Sequence, residues 1–164
     1  MAELTLANAD STILGQIVTV LTAATYGEVA IFEAVLHVGS RKEAMQRYVT
    51  EYPSALIFYE STDEYITTDK QRGCVLNAEI VLITRAQTPT ARKTAITQLV
   101  NLTRNALETT PPAASSDFTV GEGEDGYRRL SIERASIDAD ADQPWIMGFV
   151  PIHVGYVLTA KTSH

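Results

Sequence analysis

The sequence has one cysteine, Cys74, so no disulfide can form within the chain. That argues against a small cysteine-stapled scaffold and fits a reducing compartment. Basic residues are also scarce: 13 Lys+Arg stand against 20 Asp+Glu, for a net charge of −7. A protein that grips nucleic acid through its phosphates is normally basic, so bulk nucleic-acid binding is disfavoured. Long apolar runs are missing as well. Glu33, His37, Glu79 and Gly148 interrupt the candidates, and none reaches the roughly 18 apolar residues of a membrane span. The N-terminus, Met1 to Leu4, carries Glu3 where a secretory signal would be basic. These features lead us to expect a soluble protein made in a cytoplasm, with no membrane partner.

What is present suits one domain. The chain has 164 residues, 45% of them apolar, enough for a sizeable core without staples. Residues 1–9 read as an N-terminal arm, 10–159 as a single domain and 160–164 as a polar tail. Asp10 or Ser11 can cap a first helix whose stripe is Ile13, Leu14, Ile17, Val18, Leu21 and Ala24, with Gly27 ending it. Residues 29–38 are β-branched and aromatic enough for a strand closed by Gly39. Ser40 and Glu43 make a capping box for a helix over 41–51, which Pro53 stops. Ser54–Glu60 reads as a buried strand and Ser61–Arg72 as a loop or exposed hairpin tip.

Gly73–Ala86 alternates with a period of two, as a half-buried strand does. Thr88-Pro89 opens a long helix with Ile96, Leu99, Val100, Thr103, Ala106 and Leu107 buried, and Arg104–Glu108 is an i,i+4 pair. Thr110, Pro111 and Pro112 end it. After a Pro/Ala/Ser linker, Phe118–Val120 is a candidate short strand. In 127–137 the apolar phase shifts between Ile132 and Ala135, which predicts a bulge. Pro144–Thr159 alternates again, with Ile146, Gly148, Val150, Ile152, Val154, Tyr156 and Leu158 on one face. The expectation is an α+β (α/β) fold: a mostly antiparallel or mixed central sheet with two to three helices packed against it. Helices on one face are the simplest packing.

The search for chemistry finds no convergent set. Asp138, Asp140 and Asp142 start like a calcium loop, but Gln143 and Phe149 stand where that loop needs glycine and glutamate. A solvated turn is the plainer reading. Gly121–Gly126 carries Glu122, Glu124 and Asp125, which would repel a phosphate. His37, His153 and His164 have no second ligand at metal-binding spacing. Cys74 reads as a small buried hydrophobe. Glu60/Glu64 and Glu122/Glu124 lie in polar turns, where nothing would raise one pKa for general-acid work. Arg41, Lys42 and Arg47, Arg85, Arg92 and Lys93, and Arg128 and Arg129 are scattered rather than clustered. As consecutive strand residues, Arg128 and Arg129 face opposite sides of a sheet, so at least one should meet a partner or a carboxylate. We expect no catalytic residue, no metal and no cofactor.

One resemblance spans residues 10–159. Ile31-Phe32-Glu33-Ala34-Val35, then a helix running into Tyr52-Pro53 and straight into Ser54-Ala55-Leu56-Ile57-Phe58, then a long strand, a long helix and closing strands, resembles bacteriophage tail terminator (tail completion) proteins, especially the Mu-like Gp37 family. The resemblance implies a tail-terminator-like fold and a non-enzymatic virion protein. It implies a hexameric ring that caps the tail tube, stops its polymerisation and docks to the neck or head completion protein. Genomic DNA would pass through without specific binding. Alternatives are a small phage nuclease or hydrolase, or a head–tail adaptor or other binding domain. Within the ring reading, the strand residues Ile146, Val150, Ile152, Val154 and Tyr156 are candidates for the subunit interface. Glu122, Glu124 and Asp125 are candidates for a carboxylate-lined lumen, because like charge repels a passing polyanion.

Overall fold

The computed structural model describes residues 8–47, 51–68, 71–109, 128–138 and 144–159. Its elements are α1 (Ala9–Ala23), β1 (Thr25–Tyr26), β2 (Val29–Ala30), β3 (Ala34–Val38), α2 (Arg41–Arg47), β4 (Ser54–Thr68), β5 (Gln71–Arg85), α3 (Pro89–Thr109), β6 (Arg128–Ile132), β7 (Ser136–Ile137) and β8 (Trp145–Thr159). The main sheet runs β3-β4-β5-β8-β6, with β7 also on β8. Only β3 and β4 are parallel, joined through α2; the other pairs are antiparallel. This is the expected mixed sheet with three helices.

Alternation along the strands divides the core. Ala55, Ile57, Leu76, Ala78, Ile80, Leu82, Val150 and Ile152 form one face with Ile13, Ile17 and Leu21 of α1 and Ile96, Leu99 and Leu107 of α3. Leu56, Phe58, Val81, Ile83 and Met147 form the other, with Val38 of β3 and Ala44 of α2. Helices therefore cover both faces, not one. The parallel β3–α2–β4 connection is the cause, since a crossover between parallel strands must pass over one face.

Several local signals act as expected. Ala91 N donates to Thr88 Oγ1 at 3.1 Å, capping α3 ahead of Pro89. Glu43 N donates to Ser40 Oγ at 3.1 Å, so Ser40 caps α2, and the Glu43 side chain reaches back to accept from Gly39 N at 2.7 Å, one residue before the cap. The phase shift is a bulge: between β6 and β7, residues 133–135 oppose two residues of β8, Val150 and Pro151.

Other expectations change. Residues 29–38 are not one strand. Ile31 and Phe32 are adjacent yet both buried in the same cluster, which the alternation of a strand forbids, so the chain breaks at 31–33. Gly27 does not end α1, which stops at Ala23. It forms the β1–β2 turn with Glu28, both at positive φ (57° and 67°), the geometry a two-residue hairpin needs. Within the polar stretch 61–72, residues 61–68 and 71–72 are strand, with a bulge between Tyr59 and Ser61. Its threonines and tyrosine suit a sheet despite the charges among them.

Candidate functional site

β8 is a candidate for burial partly between subunits, but the five residues named for that role lie in the core of a single chain. It is an inner strand, paired with β5 from Trp145 to Thr159 and with β6 and β7 on its other side. Ile146, Val150, Ile152, Val154 and Tyr156 are each no more than 4% exposed, packed beneath α1 and α3. The apolar face these five residues form is core packing. Arg128 and Arg129 stand opposite Tyr156 and Gly155 in β6. Glu122, Glu124, Asp125, Asp140, Asp142 and His164 lie outside the described residues, as does Phe118–Val120. Asp138 is half-buried, its N–H donating to Met147 O at 3.0 Å.

The polar side chains of the sheet gather in three places. The first joins α1 to the sheet. Tyr156 Oη donates to Asp10 Oδ1 at 3.1 Å, and Thr62 Oγ1 donates to the same oxygen at 3.0 Å. Tyr59 Oη donates to Thr62 Oγ1 at 2.9 Å. Asp10 is thus not the helix cap; Asn8 precedes α1 without a side-chain cap bond. Cys74 is fully buried beside Tyr156. Burial pushes its thiol up, against the lowering effect of the Tyr156 hydrogen bond. That is the reverse of what a nucleophilic thiolate needs. Burial, and after it Asp10, pushes the Tyr156 phenol far above its ordinary value.

The second lies on the α2 side of the sheet. Glu79 is 8% exposed in the middle of β5. Arg41 Nη2 of α2 forms an ion pair with Glu79 Oε1 at 3.0 Å. The guanidinium also lies 4.3 Å from the centre of the Phe149 ring. Burial raises the Glu79 carboxyl above the usual range, and Arg41 pulls it partly back.

The third holds His153. Its Nδ1 is 2.5 Å from Asn77 Oδ1, and its Nε2 is 2.9 Å from Glu133 Oε1. Asn77 Nδ2 donates to Ser61 Oγ and Asp63 Oδ2, both at 3.0 Å. His37 is exposed on β3. Glu64 pairs with Arg72 at 3.5 Å, both about half exposed, and Glu60 is exposed at the bulge.

Among the described residues, no three His, Cys, Asp or Glu side chains come close enough to hold a metal ion. No described helix is long and apolar enough to cross a membrane. Sequence reasoning missed Asn77, Glu79 and Asp10 as structural polar residues. The first two were visible as polar residues on the apolar strand β5. The role of Asp10 depends on contacts 52 and 146 residues away, which spacing along the chain cannot show. Compared with family models and with characterised proteins, the sequence matches none.

Proposed function

We propose that the chain is a phage tail terminator: a structural virion protein that forms a ring on the end of the tail tube, halts its growth and presents a surface to the neck. The observation that carries this reading is the junction at Pro53. The chain leaves α2, passes Tyr52-Pro53 and enters β4 at Ser54, directly beside β3, with Ala34 paired to Ser54. This is the segment on which the family resemblance rests, set within the order of elements that completes it.

Among the described residues the two edges of the sheet are unlike, β3 on one side and β6 and β7 on the other, so a contact between opposite edges of two copies would run head to tail, and such contacts close into rings when the rotation closes. In this reading the tube protein and the neck protein are the partners, DNA only passes through, and no cofactor takes part. Glu122, Glu124 and Asp125 stay the lumen candidates on charge alone.

The test is tube length. Purified chain is added to its tube protein during polymerisation, and tubes are measured by electron microscopy. The reading expects short tubes bearing a ring at one end. Tubes that grow unchanged and bare in an excess of the chain would refute it.

A further inference from the structure

One nitrogen of the His153 ring is held and the other is not. Nδ1 faces Asn77 Oδ1 at 2.5 Å. Asn77 turns its nitrogen to Asp63, whose carboxylate only accepts, so the amide oxygen is left for the ring and Nδ1 carries the hydrogen. A neutral imidazole has a single N–H, which leaves Nε2 as a bare lone pair. That atom is buried without a hydrogen-bond partner, and Glu133 Oε1 lies 2.9 Å from it. Two acceptors this close repel each other until a proton comes between them.

The charged groups around the ring are few. On β5, Asn77 stands opposite His153, and Glu79 is the diagonal neighbour, opposite Pro151. Arg41 of α2 already pairs with Glu79. On β4, Asp63 reaches the ring through Asn77. On β6, Ser131 stands opposite His153 and Arg129 opposite Gly155. In the bulge, Arg134 is exposed beside Glu133. Glu133 is the charged side chain in contact with Nε2, and at 62% exposure its carboxylate has room to turn into line with the ring.

Glu133 also sits where the sheet is most weakly held. β6 and β7 pair only with β8 among the described residues, and β7 is two residues long. Between them, Glu133 N donates to Pro151 O at 3.0 Å. Short pairing on one side opens at low cost, so a second tie from the Glu133 side chain changes how often the bulge opens.

We propose that His153 and Glu133 form a pH-dependent latch on the β6–β7 edge. A proton taken from solvent onto Nε2 turns the repulsive contact into a charge-assisted hydrogen bond and fastens the bulge to β8; its loss releases the bulge. Imidazole changes charge between about pH 5 and 8, where exposed carboxylates are ionised. The latch therefore closes toward pH 5 and opens toward pH 8. Both of its ends belong to one chain, so it stands apart from the ring reading.

The test is amide hydrogen exchange of the full chain from pH 5 to pH 8, expressed as protection factors so that the intrinsic pH dependence of exchange divides out. Protection at Ser131–Ile137 should be roughly threefold to tenfold higher at the acid end, while Ile80–Leu82 stay unchanged. Nitrogen NMR of the His153 ring at pH 8 should show the hydrogen on Nδ1 and Nε2 bare, and the ring should titrate together with the protection. Glu133→Gln should abolish the step and keep the edge protected at pH 8, because its amide donates to the bare Nε2. Glu133→Ala should give the low protection at both ends of the range. An Nε2–H tautomer at pH 8, a wild type without the step, a step that survives in Glu133→Gln, or wild-type protection in Glu133→Ala would each overturn the latch.

Discussion

Tyr156 of β8 donates its phenolic hydrogen to Asp10 of α1 across 146 residues of sequence, at 3.1 Å. Thr62 donates to the same oxygen from β4. One carboxylate oxygen at the start of the first helix thus ties together the first helix, the fourth strand and the last strand. Cutting this tie should be felt as lost stability. Tyr156→Phe should cost about 1.5–3 kcal/mol, the usual worth of a hydrogen bond to a charged group. Asp10→Ala should cost more, since two hydroxyls lose their acceptor. Chemical denaturation of both single variants and the double variant checks this. Their effects should fall short of adding, because both act on one contact.

Tyr156 also sets a limit at high pH. Its phenol is held far above the ordinary value by burial and by Asp10, so the folded state keeps that proton when the unfolded state loses it. Stability from this group is complete below the unfolded tyrosine value of about 10 and falls as pH rises beyond it. Absorbance titration of the folded protein should show one of the 7 tyrosines failing to ionise until the chain unfolds. Tyr156→Phe should remove that silent tyrosine and flatten the alkaline loss.

Much of the fold was legible because it rests on local rules. Ser40/Glu43, Thr88-Pro89 and the alternation of 144–159 each name their element through chemistry within a few residues. What was not legible depends on distance. The apolar face of β8 looked like a contact surface because a sequence cannot say which strand lies in the middle of a sheet; the pairing with β5, β6 and β7 decides it. The break at Ile31 and Phe32 is a tertiary demand for two adjacent buried side chains. The polar stretch 61–68 is a strand because β5 pairs along it, and a charged sequence in a long hairpin gives little apolar period to detect.

Arg41 and Glu79 give a second pH prediction, with its own sign. Glu79 has its carboxyl raised by burial, so the folded state holds this proton more tightly than the unfolded state. Its contribution to stability is greatest below the unfolded glutamate value of about 4.3 and falls as pH rises from there through the raised folded value. Arg41 limits that fall by facing the charged form. Arg41→Ala should therefore cost more at pH 8 than at pH 4, with the difference about 1–2 kcal/mol, because a half-exposed arginine shares its work with water. Denaturation of wild type and variant at both pH values checks it. An equal loss at each would leave only the packing of the guanidinium on Phe149.

Gly148 lets α3 lie close on β8. A Cβ built there would stand 3.2 Å from Ile96 Cγ1 and 3.2 Å from Val100 Cγ2. Ile96 is fully buried and Val100 nearly so, leaving little room to yield. Gly148→Val should destabilise by about 1–3 kcal/mol through overpacking, despite the better strand propensity of valine. Thermal unfolding measures it. Ile96→Ala should recover part of the loss when combined with Gly148→Val, although alone it opens a cavity.

Asn77 orients the polar end of the sheet, and the direction of its amide follows from its neighbours. Asp63 carboxylate accepts and cannot donate, so the Asn77 nitrogen must face it, at 3.0 Å. The amide oxygen then faces His153 Nδ1 at 2.5 Å, which makes Nδ1 the hydrogen donor. Nε2 lies 2.9 Å from Glu133 Oε1, on the bulge between β6 and β7, without a hydrogen bond between them. A chain of contacts thus runs from β4 through β5 and β8 to the edge of the sheet. Asn77→Leu fills similar space and keeps the strand, but it removes the acceptor from His153 and the donor from Asp63. It should cost about 1–2 kcal/mol and act unevenly. Amide hydrogen exchange should quicken at Leu130–Ile137, where β8 is the only pairing strand among the described residues, and stay slow at Ile80–Leu82 in the middle of the sheet. If exchange at the edge does not change while global stability falls, Asn77 serves the hairpin alone and His153 does not carry its order to the edge.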